Sequence, residues 1–225
     1  MKRIIVTLIL ASIAIFLVAA DSVALLSASK GKVDLSRDAK ALKFKNGDLL
    51  KNNDEIRTGG ESFAAYKYID GSSTIKVFSN SVVIITANRS GKTLSKKVVV
   101  NKGSIFTDVK PKTGAFMVQT PTTVASVKGT GFLTKITDDG RSMFIVTDGI
   151  VELKILDGAE VKSVPSGKTA LVDDVGNFQI RDSTPEDTSS IEQAEIESSQ
   201  TSEPKIIRIP VVDAAGKTKY IEIKY

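Results

Sequence analysis

Beyond residue 20, apolar and polar side chains alternate one by one along most of the chain. In Ile150–Leu156 (IVELKIL), Val151, Leu153 and Ile155 point one way while Glu152 and Lys154 point the other, and Ile75 and Val77 alternate with Thr74 and Lys76 in the same manner. A period of two marks a strand with one face on a core and the other in water. Such runs recur at intervals of about ten residues, each closed by turn residues. Ser62–Ile69 stops at Asp70-Gly71, Thr74–Phe78 at Ser79-Asn80, Val98–Val100 at Asn101 to Gly103, and Met143–Thr147 at Asp148-Gly149. Asp-Gly and Asn-Gly pairs supply the positive φ that tight hairpins need. The pattern predicts an all-β domain over residues 21–182, an antiparallel β-sandwich or a barrel-like fold. A β-solenoid is the alternative, because glycine-punctuated segments of this length also resemble coils.

Three segments break the pattern. At the N-terminus, Lys2 and Arg3 precede an apolar run from Ile4 to Val18 and then Ala19 and Ala20. That order is a secretory signal peptide with a cut after Ala20, or else an uncleaved membrane anchor over residues 4–20. Either reading sends the body to the periplasm or outside the cell; the anchor would hold it to the inner membrane, facing the periplasm. Residues 183–204 (STPEDTSSIEQAEIESSQTSEP) lack aromatic residues and are expected to form an acidic disordered linker, a short helix around Ile191 to Ile196 being the weaker reading. Residues 205–225 turn apolar again and predict a β-hairpin, with Ile207, Ile209 and Val211 on one strand and Ile221, Ile223 and Tyr225 on the other. Two strands alone are marginal in water, so the hairpin is expected to dock on the main domain or to add to a partner's sheet.

Composition narrows the chemistry. The 225 residues contain neither Cys nor His, which removes thiolate sites, disulfides, the commonest general base and the commonest metal ligand. The net charge of +5 is unevenly spread. Residues 183–204 hold six acids (Glu186, Asp187, Glu192, Glu195, Glu197, Glu203) and no base, which leaves +11 on the remainder (+5 plus the six negative charges). The lysines are scattered as polar partners of alternating strands, not gathered into a stripe, so a nucleic-acid partner is not expected.

Several short motifs evoke active sites and are read as turns. Lys128-Gly129-Thr130-Gly131 places its Lys before the glycines and runs into a strand pattern, unlike a phosphate-binding loop. Ser166-Gly167-Lys168-Thr169 also precedes a strand. Asp70-Gly71-Ser72 lacks the hydroxyl residue between Asp and Gly that an aspartic-protease loop carries, and no second copy exists to share a proton. Asp138-Asp139-Gly140 and Asp173-Asp174 lack calcium-loop spacing. No catalytic, cofactor-binding or metal-binding residue is assigned, and no cofactor is expected. Tyr66, Tyr68 and Phe78 are the aromatic candidates for partner contact, with core or cross-strand packing as the favoured role of each.

The order of these elements also resembles the FecR domain, the extracytoplasmic module of iron-siderophore signal transducers. The resemblance runs from about Lys32 to Arg181. It is carried by Asn46-Gly47-Asp48, Asp54 to Gly59, Ser62 to Ala65 with Asp70-Gly71-Ser72, Asn101 to Ile105, Thr120 to Ala125, Val127 to Phe132, Thr147 to Val151 and Ser166 to Thr169. It implies an envelope binding or sensing module without enzymatic activity. It departs from full-length transducers, which carry a cytoplasmic anti-sigma segment where only three residues precede the apolar run here. A stand-alone form is therefore the expectation, with an unidentified envelope protein or cell-wall component as partner. Two other readings stand beside it: an assembly protein that uses its C-terminal hairpin for strand addition, and a carboxylate-dependent glycan hydrolase.

Overall fold

The computed structural model describes residues 22–90, 93–156, 158–199, 206–212 and 218–224. The expected signal or anchor over residues 1–20 lies outside them.

The described body is two nine-stranded sheets packed face to face. Sheet I runs from edge to edge as Phe178–Asp182 (β18), Lys168–Val172 (β17), Ser142–Asp148 (β14), Thr130–Ile136 (β13), Ser104–Val109 (β10), Ser73–Val77 (β7), Phe63–Tyr68 (β6), Ser22–Lys30 (β1) and Leu49–Lys51 (β4). Sheet II runs as Val161–Pro165 (β16), Ile150–Ile155 (β15), Thr123–Val127 (β12), Phe116–Gln119 (β11), Thr93–Lys102 (β9), Val82–Ser90 (β8), Glu55–Thr58 (β5), Val33–Arg37 (β2) and Lys40–Leu42 (β3). The all-β sandwich expected from the alternation is what forms, and it is not closed into a barrel.

The alternation sorts side chains as expected. Val151 and Leu153 of β15, Ala125 and Val127 of β12, and Phe116 and Val118 of β11 all enter the main core. Tyr66, Ile75, Phe132 and Phe144 meet them from sheet I. Burial of each aliphatic or aromatic side chain contributes about 1.5–3 kcal/mol before entropy is counted, so this layer is what holds the sheets together.

Strand order in both sheets follows chain order almost without exception, so the chain advances along the sandwich as it crosses between layers. Where it crosses as a two-strand hairpin, its next strand returns antiparallel. Between β9 and β11 it crosses as the single strand β10, and there the return is parallel, with Val98 opposite Val118. The sheets are therefore mixed, not wholly antiparallel. This single step is the only part of the β-solenoid alternative seen among the described pairings.

The segment expected to be a disordered linker instead contains a helix, Pro185–Ser199 (α1). Its start is a capping arrangement. The Asp187 carboxylate accepts the Thr184 amide at 2.9 Å, and Pro185 occupies the first helical position, where a missing N–H costs nothing. Asp187 also accepts from the Arg181 guanidinium (3.1 Å) and from the Thr169 hydroxyl (3.0 Å), which fastens the helix to sheet I. One turn on, Ile191 is buried in a second apolar cluster on the outer face of sheet I, with Phe63, Ala65, Phe78, Leu133 and Ile145. Composition alone missed this because two side chains, Asp187 and Ile191, supply the docking.

The strands Ile206–Val212 (β19) and Thr218–Lys224 (β20) pair antiparallel as a sheet of their own, with Ile207 opposite Ile223 and Ile209 opposite Ile221.

Candidate functional site: a groove at the Lys128–Thr130 corner

The corner singled out in the sequence joins β12 of sheet II to β13 of sheet I. Gly129 has φ +98°, and a Cβ there would sit 2.7 Å from the Cα of Pro111. The corner is thus pressed against the loop between β10 and β11, and only glycine permits that approach. Neither Gly129 nor Gly167, which lies in the turn between β16 and β17, opens a helix, so neither is a phosphate cradle.

Beside the corner lies a groove of about 470 Å³. Its walls are mostly apolar: Met117 from β11, Val127 from β12, and Ile150 at the start of β15, the last 56% exposed. Lys128 stands on its rim, and Glu152 is the one carboxylate in its lining. Lys110 and Lys112, both exposed, belong to the loop that Gly129 abuts.

That loop is held from inside the sandwich. Lys96 of β9 points inward and is fully buried. Its ammonium donates to Asp70 Oδ2 (2.7 Å), to Ser72 Oγ (2.7 Å) and to the Thr113 carbonyl (3.0 Å), while its amide donates to the Ala115 carbonyl (3.3 Å). One buried cation therefore ties the β6–β7 turn in sheet I to the loop that walls the groove. Burial acts to raise the pKa of Asp70, but the Lys96 ammonium and the hydroxyl and amide of Ser72 outweigh it and hold the carboxyl below its usual range. The Ser72–Lys96 contact has the composition of a nucleophile–base pair. Both groups are buried, and the same lysine nitrogen also bonds Asp70 and the Thr113 carbonyl, so the contact is a structural tie.

The other candidates fall into the fold. Tyr66, Tyr68 and Phe78 are buried, and the first two belong to the main core, which removes them from partner contact. Tyr68 stacks edge-on against Tyr66 and Phe116, and Phe78 packs against Phe63 under α1. Asp173 accepts the Asn177 amide (2.7 Å) and the Val175 amide (3.1 Å), closing its own turn. Asp139 pairs with Arg141 and accepts from Thr137 in the same way. Among the described residues, no three His, Cys, Asp or Glu gather where they could hold a metal ion, and no helix is long and apolar enough to cross a membrane.

Sequence reasoning passed over Lys96, although a signal was present. In the β9 alternation Leu94, Lys96, Val98 and Val100 share the inward face, and a lysine in that register needs a buried partner.

The FecR protein family matches residues 54–152, a span that includes every residue lining the groove. The FecR-domain resemblance therefore holds over the part of the chain that builds the site. Two crystal structures of a candidate anti-sigma factor from Parabacteroides distasonis ATCC 8503 share the fold, at a TM-score of 0.52 and 18% identity. The similarity covers 62% of this chain and 64% of that one, so this chain spans under two thirds of its length. No curated protein matches.

Proposed function

We propose that this chain is a non-enzymatic sensing or signal-transduction module of the bacterial envelope that recognises a protein or cell-wall component through the groove at the Lys128–Thr130 corner. One observation carries the reading: an open apolar groove with a lysine rim lies wholly within the FecR-matching residues. Recognition surfaces of this kind sit where loops are fixed by a rigid scaffold, and Lys96 fixes this one. Export to the periplasm through residues 1–20 is part of the same proposal, since the partner classes are envelope components.

A photo-crosslinking residue at Ile150, introduced in cells, tests the proposal. A discrete adduct to another envelope component is expected, absent when the same residue is placed at Val175, which is 78% exposed away from the groove. No adduct, or identical adducts at both positions, would reject it.

The assembly reading keeps support from one feature, the separate sheet made by β19 and β20. A two-stranded sheet needs a further surface to cover it. Removing Lys205 to Tyr225 separates the two: lost self-association with intact folding would favour assembly through the hairpin.

A further inference from the structure

The outer faces of the two sheets differ. Sheet I is partly covered by α1, whose Ile191 joins Phe63, Phe78, Leu133 and Ile145 in an apolar cluster. On sheet II the central strands also turn aliphatic side chains outward: Ile84 of β8, Val99 of β9 and Val124 of β12 are partly exposed, while their chain neighbours Val83, Val98 and Ala125 enter the core. Among the described residues, neither apolar cluster takes these three in. Strand register sets them in one row across the sheet, which reads Lys154 (β15), Val124 (β12), Gln119 (β11), Val99 (β9), Ile84 (β8), Glu55 (β5).

That order is complementary to its own reverse. Counted outward from the midpoint between β11 and β9, Lys154 on one side answers Glu55 on the other, and Val124 answers Ile84. Lys154 is exposed. Glu55 accepts from Arg57 Nε at 2.6 Å, and Asp34 stands opposite Arg57 in the register, so the two acids and one base leave this end of the row with a net negative charge. A two-fold axis lying in the face, close to the strand direction and through the midpoint, sets each Lys154 over the partner's Glu55 and each Val124 over the partner's Ile84. The two Gln119 side chains then flank the axis, each opposite the partner's Val99. Nine strands at about 4.8 Å make the face about 38 Å wide, large enough for the roughly 800 Å² per partner that a specific dimer buries.

We infer that the outer face of sheet II packs against the same face of a second copy of this chain, as two aligned sheets, with Val124, Val99 and Ile84 at the centre and the Lys154–Glu55 contacts at both ends. The contact joins one surface to itself, so it closes at two chains and does not propagate. A foreign sheet would need the same sequence of charge and apolar groups, whereas a second copy supplies it by symmetry. The inference goes beyond the groove reading and does not rest on it. Ile150 lies four residues along β15 from Lys154, about 13 Å away, so the groove sits at the margin of the contact and stays open to its own partner.

Sedimentation velocity of the full chain over a range of concentrations, in a mild detergent that keeps its apolar N-terminus soluble, provides the test. A monomer–dimer equilibrium with no larger species is expected. Lys154→Glu alone and Glu55→Lys alone each set like charges opposite one another at both ends, and each should weaken the dimer about tenfold or more. An equimolar mixture of these two variants should dimerise again, because both end contacts of the mixed pair are then opposite in sign. Val99→Lys should abolish the dimer with an unchanged circular dichroism spectrum, since the side chain points out of the fold. Val175→Ser, on a residue 78% exposed in the turn between β17 and β18, should leave it intact. A monomer at every concentration, growth beyond two chains, or a dimer indifferent to Lys154→Glu and Val99→Lys would overturn the inference. A photo-crosslinking residue at Val99 in cells should give an adduct of doubled chain mass. Adducts to other envelope components alone would assign the face to a foreign partner and overturn it as well.

Discussion

Lys96 Nζ lies 2.7 Å from Asp70 Oδ2, and the two residues come from opposite sheets of the sandwich. The lysine side chain is fully buried, whereas the aspartate is 31% exposed. The two ends of this ion pair therefore have unequal access to water, and their removal has unequal consequences.

Asp70→Ala leaves a buried ammonium without its counter-ion and is expected to destabilise the fold by about 3–5 kcal/mol. Lys96→Met fills the same volume without charge and returns Asp70 to water, so it should cost less than half as much. Urea denaturation of both variants measures the order. A larger loss for Lys96→Met would contradict the unequal burial.

The helix latch responds to acid. Burial tends to raise the pKa of Asp187, but the Arg181 guanidinium, the Thr184 amide and the Thr169 hydroxyl outweigh it and hold the carboxyl at about 2. A carboxyl lowered in the folded state contributes stability that is complete above its unfolded pKa of about 3.9 and is lost as pH falls toward the folded value. Amide exchange over Pro185–Ser199 should therefore accelerate between about pH 4 and pH 2 ahead of the sheet core. Asp187→Asn should bring that acceleration to neutral pH.

Two glycines with similar backbone angles provide a matched comparison. At Gly47 (φ +96°) a Cβ would have nothing within 4 Å, whereas at Gly129 (φ +98°) it would meet Pro111 at 2.7 Å. Gly47→Ala should cost about 1–2 kcal/mol, the backbone penalty alone. Gly129→Ala should add a further 1–3 kcal/mol, roughly, for the overlap. Thermal melts of the pair separate the two contributions.

Thr107 and Thr134 are fully buried in sheet I, and their hydroxyls have no hydrogen-bond partner. Valine has nearly the same shape and the same preference for strands. Thr107→Val and Thr134→Val should each raise stability by about 1 kcal/mol or more, since an unpaired buried hydroxyl costs about 1–3 kcal/mol. Unchanged or lowered denaturation midpoints would show that these hydroxyls are satisfied.

Much of this architecture was legible in the chain. The alternation in Ile150–Leu156 and around Ile75 placed core and solvent faces as they stand, and Gly129 was identifiable as a corner from the strand pattern that follows it. The parallel return of β11 beside β9 was not legible, because it depends on the chain crossing as one strand instead of two, and spacing does not distinguish these. Thr184-Pro185-Glu186-Asp187 is a helix-start signature in plain view, hidden by reading the segment through its average composition. Core or cross-strand packing, the favoured role of Tyr66, Tyr68 and Phe78, is the role all three take. Tyr66 and Tyr68 share the inward register of Ala64. The groove was the least legible feature, since its walls combine three strands that pair in sheet II, β11, β12 and β15, with the corner that leads into β13 of sheet I, and strand spacing does not show which strands pair.

Because successive strands are laid down in chain order, nearly every pairing in the sandwich joins segments that are close in the chain or separated by one excursion to the facing layer. Such a body has no keystone strand threaded between distant parts. A hairpin gained or lost at the β16–β18 end would change how long the molecule is while leaving the groove, several strands inward, as it was. Reach, for this protein, is a property that can vary independently of what it grips.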